Sequence, residues 1–233
     1  MRDKGATEDR AGHAHLMDKI YRHQRHIYDL TRKYYLLGRD RLVRELGARP
    51  AERVVEIGCG TARNLIRIAR AYPTAKLYGL DASLEMLRTA NESIARAGLK
   101  ERILIKHALA EEMTPELFGL AEPFHHAVFS YSLSMIPDWR AALKAAARCV
   151  RTEGTVHVVD FGDLKGLWPP FARGLRAWLK LFHVAPRDEL LMAMERGGKD
   201  RECSLYVLPG RYAFLLRASP DAIAGLAGED RKA

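Results

Sequence analysis

A short apolar segment that runs directly into a glycine turn is the feature that most constrains the fold of this chain. Residues 53–57 read Arg-Val-Val-Glu-Ile, which is typical of a buried strand, and Gly58 and Gly60 follow at once. Residues 64–72 then carry apolar side chains at the three- and four-residue spacing of a helix. Glycines at such a turn allow the backbone to approach a ligand closely. A strand, a glycine turn and a helix in this order predict one unit of a parallel α/β sheet.

The same alternation continues through the middle of the chain. The further strand and helix segments are predicted at residues 75–80, 83–97, 102–106, 127–131, 137–150 and 155–160. Ser83 is suited to cap the helix that follows it. Two strand-like segments at residues 203–208 and 212–216 flank Pro209-Gly210-Arg211 and predict an antiparallel hairpin at the sheet edge. We therefore expect an α/β fold with a doubly wound, Rossmann-like, seven-stranded sheet.

The sequence also indicates how the domain is bordered. Residues 1–50 are predicted to be an N-terminal helical extension on the substrate side, with a break at Gly38. Residues 51–218 are predicted to be the main domain, in which residues 165–197 form a helical insertion that could face a membrane. The small and polar segment 219–233 is expected to be a flexible tail.

Charge and cysteine content narrow the function classes. The chain carries 38 Lys and Arg against 29 Asp and Glu, a formal net charge of +9, which favours an anionic partner such as nucleic acid or a phospholipid surface. No stretch approaches the ~20 consecutive apolar residues of a spanning helix. Three widely separated cysteines argue against a disulfide framework or a zinc site and favour a reduced, cytoplasmic chain. Adjacent strand residues point to opposite faces, so His125 and His126 are not expected to share an ion, and we predict no metal site.

Two acidic residues beside the glycine turn indicate the ligand. A dinucleotide-binding turn needs a glycine three residues after Gly60, where Arg63 stands instead. Glu56, two residues before Gly58, can hold a cationic amino group such as that of S-adenosylmethionine. Asp81, at the end of the second strand, can accept hydrogen bonds from both ribose hydroxyls. The simpler alternative is a tight strand-to-helix turn with two ordinary helix-end carboxylates.

With these residues the chain resembles the class I S-adenosylmethionine-dependent methyltransferases over residues 53–216. The resemblance implies S-adenosylmethionine as cofactor and S-adenosylhomocysteine as product. The chain departs from that family at Ala62, which replaces the usual third glycine, and after the third strand, where an acidic residue for the adenine amino group is missing. Backbone groups near Leu109 and Ala110 are expected to contact adenine instead. The predicted cofactor contacts are Tyr28, Glu56, Gly58, Gly60, Thr61, Asn64, Asp81, Ala82, Met86, Leu109, Ala110, Ser130 and Tyr131.

Longer segments are similar to one subfamily. These segments are residues 21–35, 130–137 with Trp139, 159–163 and 210–214. They resemble the N-methyltransferases of bacterial betaine-lipid synthesis (BtaB type), which methylate diacylglyceryl-homoserine three times to give diacylglyceryl-trimethylhomoserine. The resemblance implies a lipid head group as substrate, an anionic membrane surface as partner, no nucleic acid, and a functional pairing with the enzyme that makes diacylglyceryl-homoserine. It also implies a cytoplasmic protein associated peripherally with the inner face of the cell membrane.

The chemistry that this resemblance implies needs few specialised residues. Methyl transfer to an amine is an in-line displacement, for which a protein supplies position and electrostatics. The amine must first lose a proton, and Asp160 and His23 are the candidate bases. Tyr131 is predicted to be catalytic because it follows the fourth strand, at the expected ligand crevice.

Substrate contacts are predicted from the charges of the acceptor. Aromatic faces hold a methylammonium by cation–π attraction, and a homoserine carboxylate needs a cation. The predicted substrate contacts are Tyr21, Arg25, Arg32, Tyr35 and Trp139. Core packing on one helical face is the ordinary alternative for Tyr28 and Tyr35, and a solvated basic surface is the alternative for each arginine.

Residues 165–180 combine four basic residues with leucine, tryptophan and phenylalanine, and contain no acidic residue. This composition is typical of a helix that lies on an anionic membrane surface. The alternative is an ordinary amphipathic helix that packs its apolar side on the sheet.

Two other functions stay open at this point. One is N-methylation of phosphatidylethanolamine or of a small soluble amine. The other, prompted by the net charge, is nucleic-acid binding or RNA modification. Against the second, the sequence contains no recognisable RNA-binding module, and Ser130-Tyr-Ser-Leu stands where an Asn-Pro-Pro-Tyr-like acceptor loop would be expected.

Overall fold

The computed structural model describes residues 36–197 and 203–228 of the chain. The strands within these residues are β1 (Arg53–Ile57), β2 (Lys76–Asp81), β3 (Ile103–His107), β4 (Phe124–Ser130), β5 (Val150–Phe161), β6 (Cys203–Val207) and β7 (Ala213–Ala218). The helices are α1 (Arg39–Glu45), α2 (Arg63–Ala71), α3 (Leu84–Arg96), α4 (Trp139–Cys149), α5 (Pro169–Leu181), α6 (Asp188–Gly197) and α7 (Pro220–Gly228). Short 3₁₀ turns lie after β3 and between β6 and β7.

The strands form a single seven-stranded sheet in the order β3-β2-β1-β4-β5-β7-β6. Strands β1 to β5 are parallel, whereas β7 is antiparallel to both β5 and β6. The predicted doubly wound fold is therefore confirmed, and the predicted terminal hairpin occupies one edge of the sheet. Strand β1 is central, with β2 on one side and β4 on the other.

Both faces of the sheet are covered, which explains the continuous apolar character of its strands. In β1, Val54 faces a core formed with α1, α2 and α3, whereas Val55 faces a second core formed with α4, α6 and α7. In β4, Val128 faces the first of these cores and Phe129 faces the second. A one-residue slip in register would exchange these two sets, so the packing fixes the register of the strands.

Local signals account for several element boundaries. Gly38 has a φ of 84° directly before α1, as expected from the predicted break, and residues before 36 lie outside the described part of the chain. Ser83 caps α3, because its hydroxyl accepts a hydrogen bond of 3.3 Å from the Met86 amide. Asp138 caps α4 in the same manner, accepting from the Ala141 amide at 2.9 Å.

The expectation of a flexible tail from residue 219 is wrong for residues 220–228, which form α7. Four of its side chains, Ala222, Ile223, Leu226 and Ala227, are buried against the core that contains α4. Small residues on both helices allow this close packing. Because α7 contains few charged residues, its sequence lacks the polar and apolar contrast that marks an ordinary surface helix.

A row of polar side chains, connected by hydrogen bonds, joins β4 and β5 near the amino ends of the parallel strands. The Thr155 hydroxyl lies 2.7 Å from His126 Nδ1 and 2.8 Å from His157 Nε2, and His126 Nε2 lies 3.0 Å from a Glu52 oxygen. Burial lowers the pKa of His157 to about 3, so this imidazole is neutral. His125 turns elsewhere and accepts from the Arg53 amide, so the adjacent histidines have different partners.

No helix in the described residues is long and apolar enough to cross a membrane. The predicted insertion is helical at its predicted place and consists of α5 and α6, which precede the terminal hairpin.

Candidate active site

The carboxyl ends of β1, β2 and β4 meet at the middle of the sheet, where the chain order reverses direction. In an open α/β sheet this switch point is the expected ligand crevice. The turns that follow these three strands carry the residues that sequence reasoning singled out, and they lie close together in the structure.

At two positions the glycine turn adopts the left-handed backbone conformation that favours glycine. Gly58 has a φ of 72°, and a Cβ placed on it would lie 2.6 Å from the Ser132 Cβ. Gly60 has a φ of 53°. Ala62, the residue in place of a third glycine, adopts the same left-handed region with φ 60° and ψ 18°, and it is fully buried. Alanine in this region costs about 1–2 kcal/mol, so the turn keeps the shape of a glycine turn at some expense in stability.

Asp81 fixes the glycine turn from the neighbouring strand. One carboxylate oxygen accepts a 2.8 Å hydrogen bond from the Gly60 amide, and the other accepts a 2.9 Å bond from the Ser83 amide. These bonds orient the carboxylate at the end of β2, beside the glycine turn. The position fits the predicted role of binding two ribose hydroxyls.

Glu56 is a buried carboxylate at the base of the same turn, with 2% of its surface exposed. Asn64 donates a 2.9 Å hydrogen bond to its Oε1, and its Oε2 has no hydrogen-bond partner among the described residues. Burial raises the pKa of Glu56 from 4.5 to about 7, although Asn64 and the positive charge of Arg39 act in the opposite direction. A cationic ligand group beside Oε2 would favour the ionised form.

A small cavity connects these residues. Its lining consists of Arg39, Glu56, Gly58, Cys59, Gly60, Thr61, Arg63, Asn64 and Ser130. Six of these nine were predicted as cofactor contacts, whereas Arg39, Cys59 and Arg63 were not. Burial raises the pKa of the Cys59 thiol, so this cysteine is not an activated nucleophile.

The polar atoms around the cavity fit the amino-acid end of S-adenosylmethionine. Buried oxygens of Glu56, Asn64 and Ser130 have no hydrogen-bond partner among the described residues. Buried polar atoms are nearly always paired in folded proteins, so three together indicate a ligand that supplies donors. An ammonium group offers three donors and a positive charge, and both suit this set of oxygens.

The residues predicted to contact adenine are buried or already have hydrogen-bond partners within the protein. His107, at the end of β3, lies 3.0 Å through its Nε2 from the Ala82 carbonyl. The Leu109 amide donates to Glu112, and Ala110 is buried. Met86 is also buried and packs beside Met135 and Phe182. The assignment of Ala82, Met86, Leu109 and Ala110 to the cofactor therefore stays a prediction.

Tyr131, the residue directly after β4, belongs to a row of three aromatic rings, of which its own and that of Phe161 are buried. Tyr131 has a φ of 57°, and its hydroxyl donates a 2.6 Å hydrogen bond to the Leu37 carbonyl. Its ring meets Phe161 edge to face at 4.8 Å between centroids, and Phe161 meets Tyr212 in the same manner at 6.0 Å. Burial raises the pKa of Tyr131 well above 10, so its phenol is neutral. We call Tyr131, Phe161 and Tyr212 the aromatic wall.

Several polar contacts hold the loop after β4 in place. The Ser132 hydroxyl donates to the Ile57 carbonyl at 2.8 Å, and Asp160 accepts from the Ser134 amide at 2.9 Å and from the Phe161 amide at 2.7 Å. Arg187 donates to the carbonyls of Leu133 and Ile136 from the far side of the loop. Sequence reasoning missed Arg187 and Ser132, whose contacts join distant segments.

Asp160 is completely buried, and burial raises its pKa from 3.8 to about 6. It is therefore mostly ionised at neutral pH. Because its oxygens accept backbone amides, its geometry favours positioning the loop and supplying negative charge over receiving a substrate proton. Its predicted role as a base stays a prediction.

The structure brings only part of the predicted acceptor site together. Trp139, the first residue of α4, is 6% exposed and packs in the core with α6 and α7, so its substrate contact stays a prediction. The other predicted acceptor residues lie outside the described part of the chain. These are Tyr21, His23, Arg25, Arg32 and Tyr35, together with the cofactor residue Tyr28.

Comparisons with known proteins agree with this geometry. Residues 54–154 match the family model of a methyltransferase domain. The ubiquinone/menaquinone biosynthesis C-methyltransferase UbiE of Syntrophotalea carbinolica is 28% identical over 198 residues, which cover 81% of this chain and 77% of that protein. A demethylmenaquinone methyltransferase of a Geobacillus species is 26% identical over 63% of this chain and 61% of its own length.

Solved structures share the fold. The S-adenosylmethionine-dependent methyltransferase SibL superposes with a TM-score of 0.61 and 22% identity, over 80% of this chain and 55% of SibL. An O-methyltransferase family protein from Burkholderia thailandensis gives a TM-score of 0.62 and 17% identity, over 78% of this chain and 56% of that protein. The chain therefore contains a methyltransferase domain with the class I methyltransferase fold, and S-adenosylmethionine is its cofactor.

Proposed function

We propose that this methyltransferase transfers methyl groups to the amino nitrogen of diacylglyceryl-homoserine, up to three times, to give the betaine lipid diacylglyceryl-trimethylhomoserine. One observation carries the proposal. Three separate segments that resemble the betaine-lipid enzymes, at residues 130–137, 159–163 and 210–214, contact one another through aromatic rings, and the first of them begins at Ser130, which lines the cofactor cavity.

The contacts between these segments are specific. Tyr131, Phe161 and Tyr212 supply one ring each to the aromatic wall. Asp160 holds the Ser134 amide, and Arg211 grips Asp163 through two hydrogen bonds of 2.7 and 2.9 Å. A bidentate pair of this kind fixes orientation as well as distance. Residues that are far apart in sequence thus contact one another at the carboxyl ends of β4 and β5.

The half-buried ring of Tyr212 is the outer member of the aromatic wall, and an aromatic face at this place suits an acceptor that becomes more apolar while it keeps a positive charge. A methylated ammonium loses hydrogen-bond donors with each transfer, whereas its attraction to aromatic faces persists. The ionised carboxylate of Asp160, buried close enough to Tyr131 to help raise its pKa, adds negative potential for the same cation. A trimethylated nitrogen can therefore be accommodated without a donor of its own.

When bound, S-adenosylmethionine supplies an activated methyl group, and the protein supplies position and charge. The acceptor ammonium must release one proton before each transfer, so three protons leave during trimethylation. Because the aromatic faces and Asp160 favour the cation, this release needs a base within reach of the nitrogen. His23, which with Asp160 is a candidate base from the sequence, lies outside the described residues.

A second candidate function is C-methylation of a quinone. It is supported by the names of the relatives from Syntrophotalea and Geobacillus, which are quinone methyltransferases at 28% and 26% identity. A planar quinone ring could also lie against an aromatic wall. The two candidates differ in the atom that is methylated and in the number of transfers.

The test is a mass-spectrometric assay with deuterium-labelled S-adenosylmethionine and three separate acceptors in matched vesicles: diacylglyceryl-homoserine, phosphatidylethanolamine and reduced demethylmenaquinone. We expect one, two and three labelled methyl groups on the homoserine lipid alone. A single methyl group on the quinone alone would replace the proposed function with quinone C-methylation. Methylation of phosphatidylethanolamine alone would retain N-methylation and reject the homoserine substrate.

Variants connect the assay to the aromatic wall. Tyr212→Leu removes the half-buried π face of the wall and retains apolar volume, so we expect transfer to the dimethylated lipid to slow by up to about thirtyfold, as expected for a desolvated cation–π contact. Phe118→Leu is the matched control, because Phe118 packs with Tyr78 and Phe124 in the other part of the core. Equal effects of the two variants would remove the aromatic wall from the proposal.

A further inference from the structure

A second and larger cavity lies beside the cofactor cavity, where α1, α2 and α3 meet. Its volume is about 560 Å³, which is enough for a small organic molecule. Its lining consists of Leu36, Arg39, Asp40, Thr61, Arg63, Ile66, Arg67, Arg70 and Ser93. Four of these nine residues are arginines and one is acidic, so the lining is strongly positive. We call it the arginine cavity.

Three of the four arginines lie on one face of α2. Arg63, Arg67 and Arg70 are four and three residues apart, which places their side chains one above another along the helix. Their backbone positions span about 10 Å along the helix axis, so long side chains from both ends can contact one group between them. Like charges at this spacing repel one another and weaken a helix. The arrangement therefore favours a bound anion.

The protein itself supplies a partner for only one of these three side chains within residues 36–197 and 203–228. Arg67 forms an ion pair with Asp40 of α1. The side chains of Arg63 and Arg70 form no ion pair or hydrogen bond with any residue of these ranges. Arg63 is also half-buried, so it has lost part of its contact with water without gaining a partner there.

The cofactor explains only the inner part of the arginine cavity. Arg39, Thr61 and Arg63 line both cavities, which shows that the two adjoin. The carboxylate of S-adenosylmethionine can pair with a guanidinium at this junction. Arg67 and Arg70 line the arginine cavity and not the cofactor cavity, and they lie one and two turns of α2 beyond Arg63. A separate ligand is needed to account for these outer arginines.

We propose that the arginine cavity binds the phosphate group of a small soluble phosphate monoester. Guanidinium groups donate paired hydrogen bonds to phosphate, which offers three terminal oxygens and a charge of about −2. A carboxylate has two oxygens and a single charge, so it can satisfy fewer of these arginines. The proposal does not depend on which acceptor the enzyme methylates.

The remaining lining favours an organic phosphate over the free ion. The cavity is much larger than a phosphate ion requires, and Leu36 and Ile66 provide apolar surface in it. Thr61 and Ser93 add hydroxyl groups that can donate to or accept from a polar ligand. A short polyol attached to the phosphate would use both kinds of contact.

The test is isothermal titration calorimetry of the purified full chain with three probes: glycerol 3-phosphate, inorganic phosphate and glycerate. We expect saturable binding of glycerol 3-phosphate that weakens as salt is added. Inorganic phosphate should bind more weakly, and glycerate at least about tenfold more weakly, because glycerate lacks one charge and one terminal oxygen.

Each contrary result overturns a stated part of the proposal. Glycerate binding as tight as that of glycerol 3-phosphate would replace phosphate with carboxylate as the ligand group. Inorganic phosphate binding as tightly would reject the ester. No binding of any probe would reject the site, as would binding of a short single-stranded RNA alone, which would indicate a polyanion surface.

Variants with opposite expected effects test the location. Arg63→Gln with Arg70→Gln should weaken binding of glycerol 3-phosphate at least about thirtyfold, since two charge-assisted contacts are lost. Asp40→Asn should instead tighten it about threefold, because this change removes the one negative charge of the lining and releases Arg67. A purely structural role of Asp40 predicts no such gain, so unchanged or weaker binding by Asp40→Asn would contradict the location.

A matched control separates the arginine cavity from the overall positive charge of the protein. Lys144→Gln with Arg148→Gln removes two exposed charges from α4 and should leave binding of glycerol 3-phosphate unchanged. Arg70→Gln alone should weaken that binding about tenfold and retain the affinity for S-adenosylmethionine, which shows that the variant is folded. An equal loss in the α4 control and the arginine variants would reject the arginine cavity as the site.

Discussion

Glu56→Gln retains the size of a buried side chain and removes its charge, so it isolates the electrostatic role of this residue. In the folded protein the pKa of Glu56 is about 7, whereas its ordinary value is 4.5. Between these values the folded state holds a proton that the unfolded state has lost. Stability of the cofactor-free protein therefore decreases as the pH rises from about 4.5 to 7, and the loss is complete above that range.

The size of the effect follows from the two pKa values. A difference of 4.5 to about 7 corresponds to a loss of about 3 kcal/mol of folding free energy above pH 8. Glutamine is neutral at every pH and does not carry this loss. We therefore expect the stability of Glu56→Gln, relative to wild type, to rise by about 2–3 kcal/mol between pH 5 and pH 8.

The measurement is urea unfolding of the cofactor-free protein at pH 5, 6, 7 and 8. Glu92→Gln, an exposed position on α3, is the control and should follow the wild type at each pH. A constant stability difference between Glu56→Gln and wild type across this range would refute the assignment of a buried, destabilised carboxylate.

Cofactor binding should reverse the preference of Glu56, because a nearby ammonium stabilises the carboxylate. The fraction of ionised Glu56 falls from most molecules at pH 7.5 to about a tenth at pH 6, while the amino group of S-adenosylmethionine gains protons. Together these changes predict about fivefold weaker cofactor binding at pH 6 than at pH 7.5. Calorimetry should show this dependence in the wild type and not in Glu56→Gln. Equal affinity of the two proteins at pH 7.5 would exclude Glu56 from the amino-group site.

Three further predictions concern individual side chains. Asp81→Asn should weaken cofactor binding about a hundredfold by calorimetry, because it removes the charge from two ribose hydrogen bonds, and unchanged affinity would contradict the ribose assignment. Ala62→Gly should change the free energy of unfolding by less than about 1 kcal/mol, since relief of the left-handed φ offsets a lost buried methyl, whereas Ala62→Val should destabilise by more than about 2 kcal/mol. The pKa of His157 is about 3 when folded and ordinarily 6.5, so it takes up protons on unfolding. Wild type should lose about 2 kcal/mol from this histidine between pH 7 and pH 5, and urea unfolding of His157→Asn should lack that loss.

The order of strands and helices could be predicted because the chain changes periodicity at glycines and prolines. Alternation of short apolar segments and helical segments predicted β1 to β5, and Pro209-Gly210-Arg211 predicted the terminal hairpin. The start of β5 was harder to place. It begins at Val150 instead of residue 155, because polar residues 151–153 are tolerated on its exposed first part.

The site could be predicted where its residues are neighbours in sequence. Glu56, Gly58, Gly60 and Asn64 lie within nine consecutive residues from β1 to α2, and this pattern, together with Asp81, indicated a shared ligand. Contacts between side chains on separate elements have no regular spacing in the sequence by which they could be predicted. Arg39 reaches the cofactor cavity from α1, and no spacing in the sequence relates it to the glycine turn.

The close approach of Gly58 to Ser132 has a kinetic consequence. A Cβ on Gly58 would lie 2.6 Å from the Ser132 Cβ, and the Ser132 hydroxyl also bonds to the Ile57 carbonyl. The turn that faces the cofactor and the loop that faces the acceptor thus touch without spare room, and displacement of one must displace the other. We expect compulsory-order kinetics, in which S-adenosylmethionine enters before the acceptor, and S-adenosylhomocysteine inhibits competitively against S-adenosylmethionine alone.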